Sequence, residues 1–299
     1  MGNLKAIIRL GAIVLTLVLL GGLYFGVRYV QEEFDAEPQK REKRVQQLVS
    51  GQAVSNFVPG QEEFEQAARL VALEQMPQAV ERLEFLRRIF PSSIYASEAG
   101  RMLGEIRMDH LLSLNHLENK KRYVVRRGDS YLKIARSHET SLSNMMMING
   151  LLDLSSLHPG DELWVMPLNF SLRLKGKEQT ISLLEDGKVI KVYSTKHWGL
   201  PRMSDRKRNG VLAAKAVEGP EGQMRRINDP RFRHEPKILT ISLAGANFQL
   251  RPYPKQKQRL AEEGESWQPG RGIFLEPPEL EELAMLLRRG NEVELYPAG

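Results

Sequence analysis

The sequence predicts a multidomain α+β protein with four parts: an N-terminal transmembrane helix, a helical spacer, a small βααβ domain and a mostly-β C-terminal domain. Three observations predict this order. An uncharged apolar run lies near the start of the sequence, apolar residues then recur at helical spacing, and the last third alternates apolar with charged residues around turn-forming pairs. The predicted boundaries are residues 1–30, 31–120, 121–168 and 171–299.

Cysteine is absent from the sequence, and this absence is the most informative feature of the composition. Without a thiol the chain can form no disulfide, no thiolate metal site and no cysteine nucleophile. It also lacks the residue that is acylated in bacterial lipoproteins. Lys and Arg total 43 against 37 for Asp and Glu, and the resulting net charge of +6 suits an anionic surface or polymer without identifying one.

The apolar run Leu10–Val27 is bracketed by Arg9 and Arg28. Its length is near the lower limit for a membrane-spanning helix. A cleaved signal peptide is the alternative, but its apolar region is usually shorter, about 7–15 residues, and ends at small residues that are lacking at this position. Lys5 and Arg9 precede the run and acidic residues follow it. The positive-inside rule therefore predicts a single-pass protein with its N-terminus in the cytoplasm and its C-terminal bulk outside.

Three helices are predicted between residue 61 and about residue 117. Apolar residues recur at helical spacing in the first, Pro77 opens the second and Pro91 ends it, and a third runs from about Ser93 to about Leu117. The second and third helices resemble tetratricopeptide-type repeats over little more than one repeat. Because stacked repeats need about three units to stand alone, a plain helical spacer is the favoured interpretation.

Residues 123–167 read as a compact βααβ unit. A β-branched and aromatic run predicts the first strand, Ser and Asp cap the helices, and Asn-Gly and Pro-Gly pairs predict a helix end and a turn. The elements are a strand at Tyr123–Val125, N-cap candidates at Asp129 or Ser130 and at Ser141 or Ser143, a helix end at Asn149-Gly150, and a last strand at Glu162–Val165. The methionines at 145–147 are interpreted as core filler rather than as metal ligands.

This unit resembles a LysM domain. It carries Y-x-V-x-x-G-D-S, then I-A, N-G-L and L-x-P-G-x-x-L-x-V, which fill almost every position of the family pattern. Tyr131 stands where leucine is usual, and Met166 is inserted before the final proline. The resemblance implies binding to polymers that contain N-acetylglucosamine, either peptidoglycan or chitin.

The resemblance also implies a sugar groove between two loops. Carried over by position, its residues are Gly128, Asp129, Ser130 and Tyr131 on one side and Asn149, Gly150, Leu151 and Leu152 on the other. Backbone groups in such loops can recognise the acetamido group, and aliphatic side chains can pack on the sugar face. The alternative is that Asp129 and Ser130 only cap a helix and Asn149 only ends one, and both roles are compatible.

From Ser171 onward the pattern becomes β. Leu172 and Leu174 alternate with charged residues, and a Glu-Asp-Gly turn at residue 185 separates two further strands. The predicted elements are strands at Thr180–Leu184, Val189–Tyr193, Gly210–Val217, Ile238–Leu243, Phe248–Leu250 after a Gly-Ala-Asn turn, and Val293–Tyr296, with a helix at Glu279–Leu287.

Both ends of this region resemble an L,D-transpeptidase catalytic domain. The start reads SLRLKGKEQTISLLEDGKVIKVYSTKHWG and the end reads EPPELEELAMLLRRGNEVELYP. That family uses a cysteine thiolate to attack a peptidoglycan stem-peptide carbonyl, with a histidine as base. In an ungapped alignment the cysteine falls on Gly272, the histidine on Gly270 and the arginine on Phe274, while a second family histidine falls on Ala244. The resemblance therefore implies a catalytically inactive domain.

No other catalytic, phosphate-binding or dinucleotide motif occurs, so the sequence predicts no catalytic residue, no cofactor and no metal site. A serine nucleophile is the alternative, because Ser242 and Ser266 lie near the aligned site. Residues 196–259 are rich in Lys and Arg, which either form a solvated surface or attract carboxylate-bearing stem peptides. Nucleic acid is not an expected partner, because the domain faces outward and aromatic residues are sparse.

The sequence thus predicts a peptidoglycan-binding protein of the bacterial cytoplasmic (inner) membrane with its bulk in the periplasm. It would act as a scaffold or regulator through an inactive transpeptidase-like domain. Its expected partners are peptidoglycan glycan strands, the membrane and an active cell-wall enzyme. The alternative is a cell-wall-modifying enzyme with a non-cysteine nucleophile.

Overall fold

The computed structural model describes residues 58–154, 156–200, 206–218, 224–226, 236–243, 246–254 and 270–297. The predicted membrane helix at Leu10–Val27 lies outside these residues, and so do Ala244 and Ser266. Within them, no helix has the length and apolar character needed to cross a membrane.

Three helices open the described part of the chain: α1 (Gln61–Ala72), α2 (Met76–Ile89) and α3 (Ile94–Leu112). Pro77 lies in the first turn of α2, where its missing N–H costs nothing. The Ser93 hydroxyl accepts a hydrogen bond from the Tyr95 amide at 3.2 Å and caps α3. The helices bury a common core that consists of Ala67, Leu83, Leu86, Ala96, Ala99 and Leu103.

Helix α3 ends five residues before the predicted end at Leu117. Ser113 is extended (φ −64°, ψ 136°), and the chain folds back over the helix end. The Lys120 ammonium then donates to the carbonyls of Leu111 at 2.6 Å and His116 at 2.7 Å. These contacts satisfy carbonyls that a continued helix would have used, which is why apolar spacing alone overestimates its length.

The βααβ unit consists of β1 (Lys121–Val124), α4 (Tyr131–Ser137), α5 (Leu142–Ile148) and β2 (Glu162–Val165), with β1 and β2 antiparallel. Ser130 caps α4 and Ser141 caps α5. The caps are therefore Ser130 rather than Asp129, and Ser141 rather than Ser143. Met145 and Met146 are buried, whereas Met147 is exposed. The core of the unit contains Val125, Ile134, Ala135, Met145, Leu163 and Val165.

The rest of the described chain forms a ten-stranded sheet with one helix, α6 (Pro277–Leu286). Its strands are β3 (Phe170–Lys175), β4 (Thr180–Glu185), β5 (Lys188–Ser194), β6 (His197–Gly199), β7 (Arg208–Glu218), β8 (Met224–Arg226), β9 (Lys237–Leu243), β10 (Ala246–Pro252), β11 (Gly272–Leu275) and β12 (Glu292–Tyr296). The order is β5-β4-β3-β12-β7-β9-β10-β11-β6, with β8 paired to β7. The parallel pairs β3–β12 and β10–β11 join distant parts of the chain.

The turn predicted between β4 and β5 is present, and Asp186 and Gly187 have φ values of 48° and 78°. Two consecutive positive φ values match the twist of a two-residue hairpin. The Gly-Ala-Asn turn was predicted too long, because Ala246 and Asn247 already pair with β9. Strands β6, β8 and β11 were not predicted, because β6 and β8 contain no β-branched residue and the apolar run of β11 is too short to tell a strand from a buried helical segment.

The helices and the βααβ unit both contact the sheet domain. Lys191 on β5 lies 2.8 Å from Glu105 on α3 and 2.9 Å from Glu282 on α6. The Ser141 hydroxyl donates to the Met285 carbonyl at 2.5 Å. Ile148, Met166 and Leu168 belong to the same apolar core as the sheet. The described part of the predicted spacer therefore packs on the sheet through α3.

Candidate functional site

The first predicted groove loop, residues 128–131, joins β1 to α4. The Asp129 carboxylate accepts hydrogen bonds from the Tyr123 hydroxyl at 2.7 Å and the Arg126 amide at 2.9 Å. Its side chain is only 8% exposed, although it lies in a surface loop. The Ser130 hydroxyl accepts from the Lys133 amide at 3.3 Å. Ser130 therefore caps the helix, and Asp129 holds the loop against the first strand.

The surroundings of Asp129 favour its charged form. The hydrogen bond from Tyr123 contributes most to lowering its pKa, followed by the Arg126 amide, and Lys133 adds to the effect. The same contact raises the pKa of the Tyr123 hydroxyl. An ionised Asp129 is therefore part of the loop's structure at neutral pH.

The second predicted loop, residues 149–152, follows α5. The Asn149 amide nitrogen donates to the carbonyls of Met145 at 2.7 Å and Trp164 at 2.8 Å, while its oxygen accepts from the Trp164 amide at 2.7 Å. Both of its N–H groups are thus engaged within the protein. Asn149 ties the end of α5 to β2, so its side chain supports the loop rather than offering donors to a ligand.

The rest of this loop consists of a glycine followed by two leucines whose side chains differ in exposure. Gly150 has a φ of 62°, which turns the chain so that the N–H of Leu151 reaches the Met146 carbonyl at 2.9 Å. Leu151 packs against the βααβ core. Leu152 is 89% exposed, which is unusual for a leucine and leaves its side chain accessible to a ligand.

The two loops are built on one core and leave open space beside them. Tyr131 and Leu151 both pack against the same buried cluster. A Cβ placed on Gly128 or on Gly150 would meet no atom within 4 Å. Exposed backbone, open space and an exposed aliphatic side chain are features that suit contact with an extended sugar chain.

Lys133 is a rim residue that the sequence reasoning missed. Its ammonium lies 3.3 Å from the Gly128 carbonyl and 3.4 Å from an Asp129 carboxylate oxygen, and its side chain is 64% exposed. The available signal was its position four residues after Asp129. Lys133 adds positive charge at the edge of the first loop.

The positions aligned with the transpeptidase chemistry lie on or beside β11. Gly272 has a φ of 136°, and a Cβ there would lie 2.9 Å from the Gln249 carbonyl oxygen. A Cβ on Gly270 would meet no atom within 4 Å. Phe274 is buried, with the ring of His197 at 5.7 Å and that of Tyr253 at 6.5 Å between centroids.

Ser242 and His197 do not form a catalytic pair. His197 lies on β6, opposite Phe274 on β11, and Ser242 lies on β9, opposite Asn247 on β10. Three inter-strand spacings separate β6 from β9, which amounts to about 14 Å along the sheet. A general base must lie within hydrogen-bond reach of its nucleophile.

We expect Asp129→Asn to remove a pH-dependent part of the stability. The folded pKa of Asp129 lies below its unfolded value of about 3.9. Its contribution is therefore complete above that pH and is lost as the pH falls through the folded pKa. The melting temperatures of the parent and the variant should differ at neutral pH and converge in acid. Asp161→Asn, which alters an exposed aspartate of the same domain, is the control and should show a smaller difference.

Comparison with known proteins identifies the βααβ unit. Residues 123–165 match the family model of the LysM domain. The chain therefore carries a LysM domain where the sequence predicts one. No curated protein matches the sequence significantly.

Solved structures that are similar to parts of this chain include three L,D-transpeptidases. The protein from Stackebrandtia nassauensis shows 13% identity and a TM-score of 0.27, covering 43% of this chain and 55% of that chain. The protein from Mycobacterium smegmatis shows 12% identity and a TM-score of 0.27, and the match covers 46% of this chain and 63% of that chain. A mutant of the Enterococcus faecium protein shows 14% identity and a TM-score of 0.26, and the match covers 43% of this chain and 50% of that chain. The chain thus spans less than two thirds of each, and likenesses at this level say nothing about its activity or substrate.

Proposed function

We propose that this protein binds peptidoglycan through its LysM domain, using the loops at 128–131 and 149–152 to hold glycan strands that contain N-acetylglucosamine. The observation that carries the proposal is the family match at residues 123–165 together with the exposed residues in both loops, which are Gly128, Ser130, Gly150 and Leu152. The open space beside Gly128 and Gly150 and the exposed Leu152 support the same placement. Asp129, Ser130 and Asn149 then act as residues that shape the two loops.

The proposal extends to the cytoplasmic membrane of a bacterium. The uncharged run Leu10–Val27 would anchor the chain, and Lys5 and Arg9 would keep its N-terminus in the cytoplasm. The LysM domain would then face the periplasm, where peptidoglycan lies. A single-pass anchor combined with a glycan-binding domain suits a scaffold that holds the membrane and the cell wall together.

We also propose that the transpeptidase-like domain is inactive and acts as a scaffold or regulator, with an active cell-wall enzyme as a partner. The whole chain contains no cysteine, and glycine occupies the aligned nucleophile position at 272. Gly270 supplies no base, and Phe274 supplies no guanidinium. The separation of Ser242 from His197 makes that pair unsuitable for the alternative, an enzyme with a non-cysteine nucleophile.

The test is sedimentation of the purified full chain, in mild detergent, with insoluble peptidoglycan. We expect retention in the pellet and an unchanged muropeptide profile, because binding does not require bond cleavage or formation. Cellulose, which lacks the acetamido group, is the control polymer and should retain little protein. Absence from the peptidoglycan pellet would contradict the binding function, and new crosslinked or cleaved muropeptides would favour the enzyme.

A further inference from the structure

A cleft lies between the helical segment, the connection that follows α3, and the β4–β5 hairpin. Its cavity volume is about 1080 Å³. The start of α2 contributes Met76 and Pro77, and the hairpin contributes Glu185 and Asp186. The cleft is separate from the LysM loops and from β11, so neither part of the proposed function uses it.

Two histidines and a glutamate meet at this cleft. The imidazole rings of His110 and His116 are stacked, with centroids 3.7 Å apart and an interplanar angle of 29°. One ligand atom from each of His110, His116 and Glu118 lies within 4.8 Å of the others. In the described part of the chain, this is the one group of three such side chains that could share a metal ion.

The fold holds these side chains together by a contact outside the cluster. His110 lies in the last turn of α3, whereas His116 lies in the connection that folds back over it. Lys120, whose side chain is buried, donates to the carbonyls of Leu111 and His116 and keeps the connection in that position. The cluster is therefore positioned by the backbone before any ligand arrives.

We propose that His110, His116 and Glu118 bind one zinc ion, or a divalent cation of similar preference, at the edge of this cleft. Two imidazoles and one carboxylate are a ligand set of zinc sites that leave a fourth position open. Ligand atoms around a tetrahedral zinc ion lie about 3.4 Å apart, so closure requires movements of about an ångström. It also requires one of the two stacked imidazole rings to rotate, because the lone pair of each nitrogen lies in its ring plane. His110 and Glu118 are exposed, and their side chains can make such movements.

The charges around the cluster are mixed. Lys120 opposes the approach of a cation, and Arg107 also lines the cleft but is paired with Glu84. Glu185 and Asp186 line the same cleft and supply negative charge. Imidazole ligands discriminate by chemistry as well, since they suit zinc and not magnesium, which prefers oxygen ligands.

The test measures uptake of zinc by the full chain in competition with a chromophoric chelator. We expect one equivalent of zinc to bind, and magnesium in excess not to displace it. His110→Gln and His116→Gln should each weaken zinc binding by at least about tenfold, since even the loss of a supporting partner around a metal site costs about 10–100-fold. Cobalt at the same site should give the intense visible bands of a four-coordinate ion, and these bands should be lost in both variants.

His158→Gln is the matched control, because His158 is an exposed histidine close to a carboxylate, that of Asp161. It should bind zinc as the parent does. Circular dichroism without metal should show that all variants are folded. The proposal is overturned if the parent takes up no zinc against the chelator, or if both His110→Gln and His116→Gln bind zinc with the parent's affinity.

Discussion

Leu152→Asp is expected to reduce retention on insoluble peptidoglycan by about tenfold or more. This change corresponds to about 1.4 kcal/mol of binding free energy. The leucine is 89% exposed, so its replacement removes little from the folded core. An aspartate at this position would lose the apolar contact with the sugar face and would have to be desolvated when the glycan binds. The measurement is the fraction of protein in the pellet as a function of peptidoglycan concentration.

Leu73→Asp is the matched control, because Leu73 is a leucine that is 66% exposed at the end of α1. It should bind as the parent does. Point variants are preferable to deletion of the LysM segment, since Ile148 and Met166 belong to the core of the sheet domain and deletion would expose that core. If Leu152→Asp binds as well as the parent, the groove is misplaced. The basic region at 196–259 then becomes the candidate surface.

Gly272→Cys, which restores the aligned nucleophile, is expected to destabilise the protein by about 2–4 kcal/mol and to give no activity. The φ of 136° strains any residue that carries a side chain. The new Cβ would also lie 2.9 Å from the Gln249 carbonyl oxygen, and Gln249 is held in β10 by its pairing with Thr240 of β9. Backbone in the middle of a sheet cannot move aside cheaply. Urea unfolding of the full chain measures the loss of stability.

Gly270→Ala provides the control for this substitution. It lies two residues away, and its Cβ would meet no atom within 4 Å, so its unfolding curve should stay close to the parent's. Mass spectrometry after incubation with a carbapenem tests the chemistry. Neither the parent nor Gly272→Cys should form a covalent adduct, because no base stands at Gly270. A stable adduct on a serine of the parent would overturn the inactive assignment and favour the alternative enzyme.

Most of the order of secondary structure follows from the sequence, because the signals of its longer elements are local; strands β6, β8 and β11 are the exceptions. The cap candidates at 129–130 and at 141 or 143, the Asp186-Gly187 turn and the alternation around Leu172 and Leu174 each depend on neighbouring residues. The LysM pattern is equally local, since its glycines and helix caps fall at fixed spacings. The absence of cysteine excludes thiolate chemistry whatever the fold.

What only the tertiary structure decided concerns contacts between residues far apart along the chain. The Asn149 side chain accepts a hydrogen bond from the Trp164 amide of β2. A side chain at position 272 would collide with the Gln249 carbonyl of β10. His110 and His116 are six residues apart, a spacing that one helix would not bring to the same face, and they meet because α3 ends early and the chain folds back. Such contacts depend on where the backbone goes after each element ends, and composition and periodicity do not contain that information.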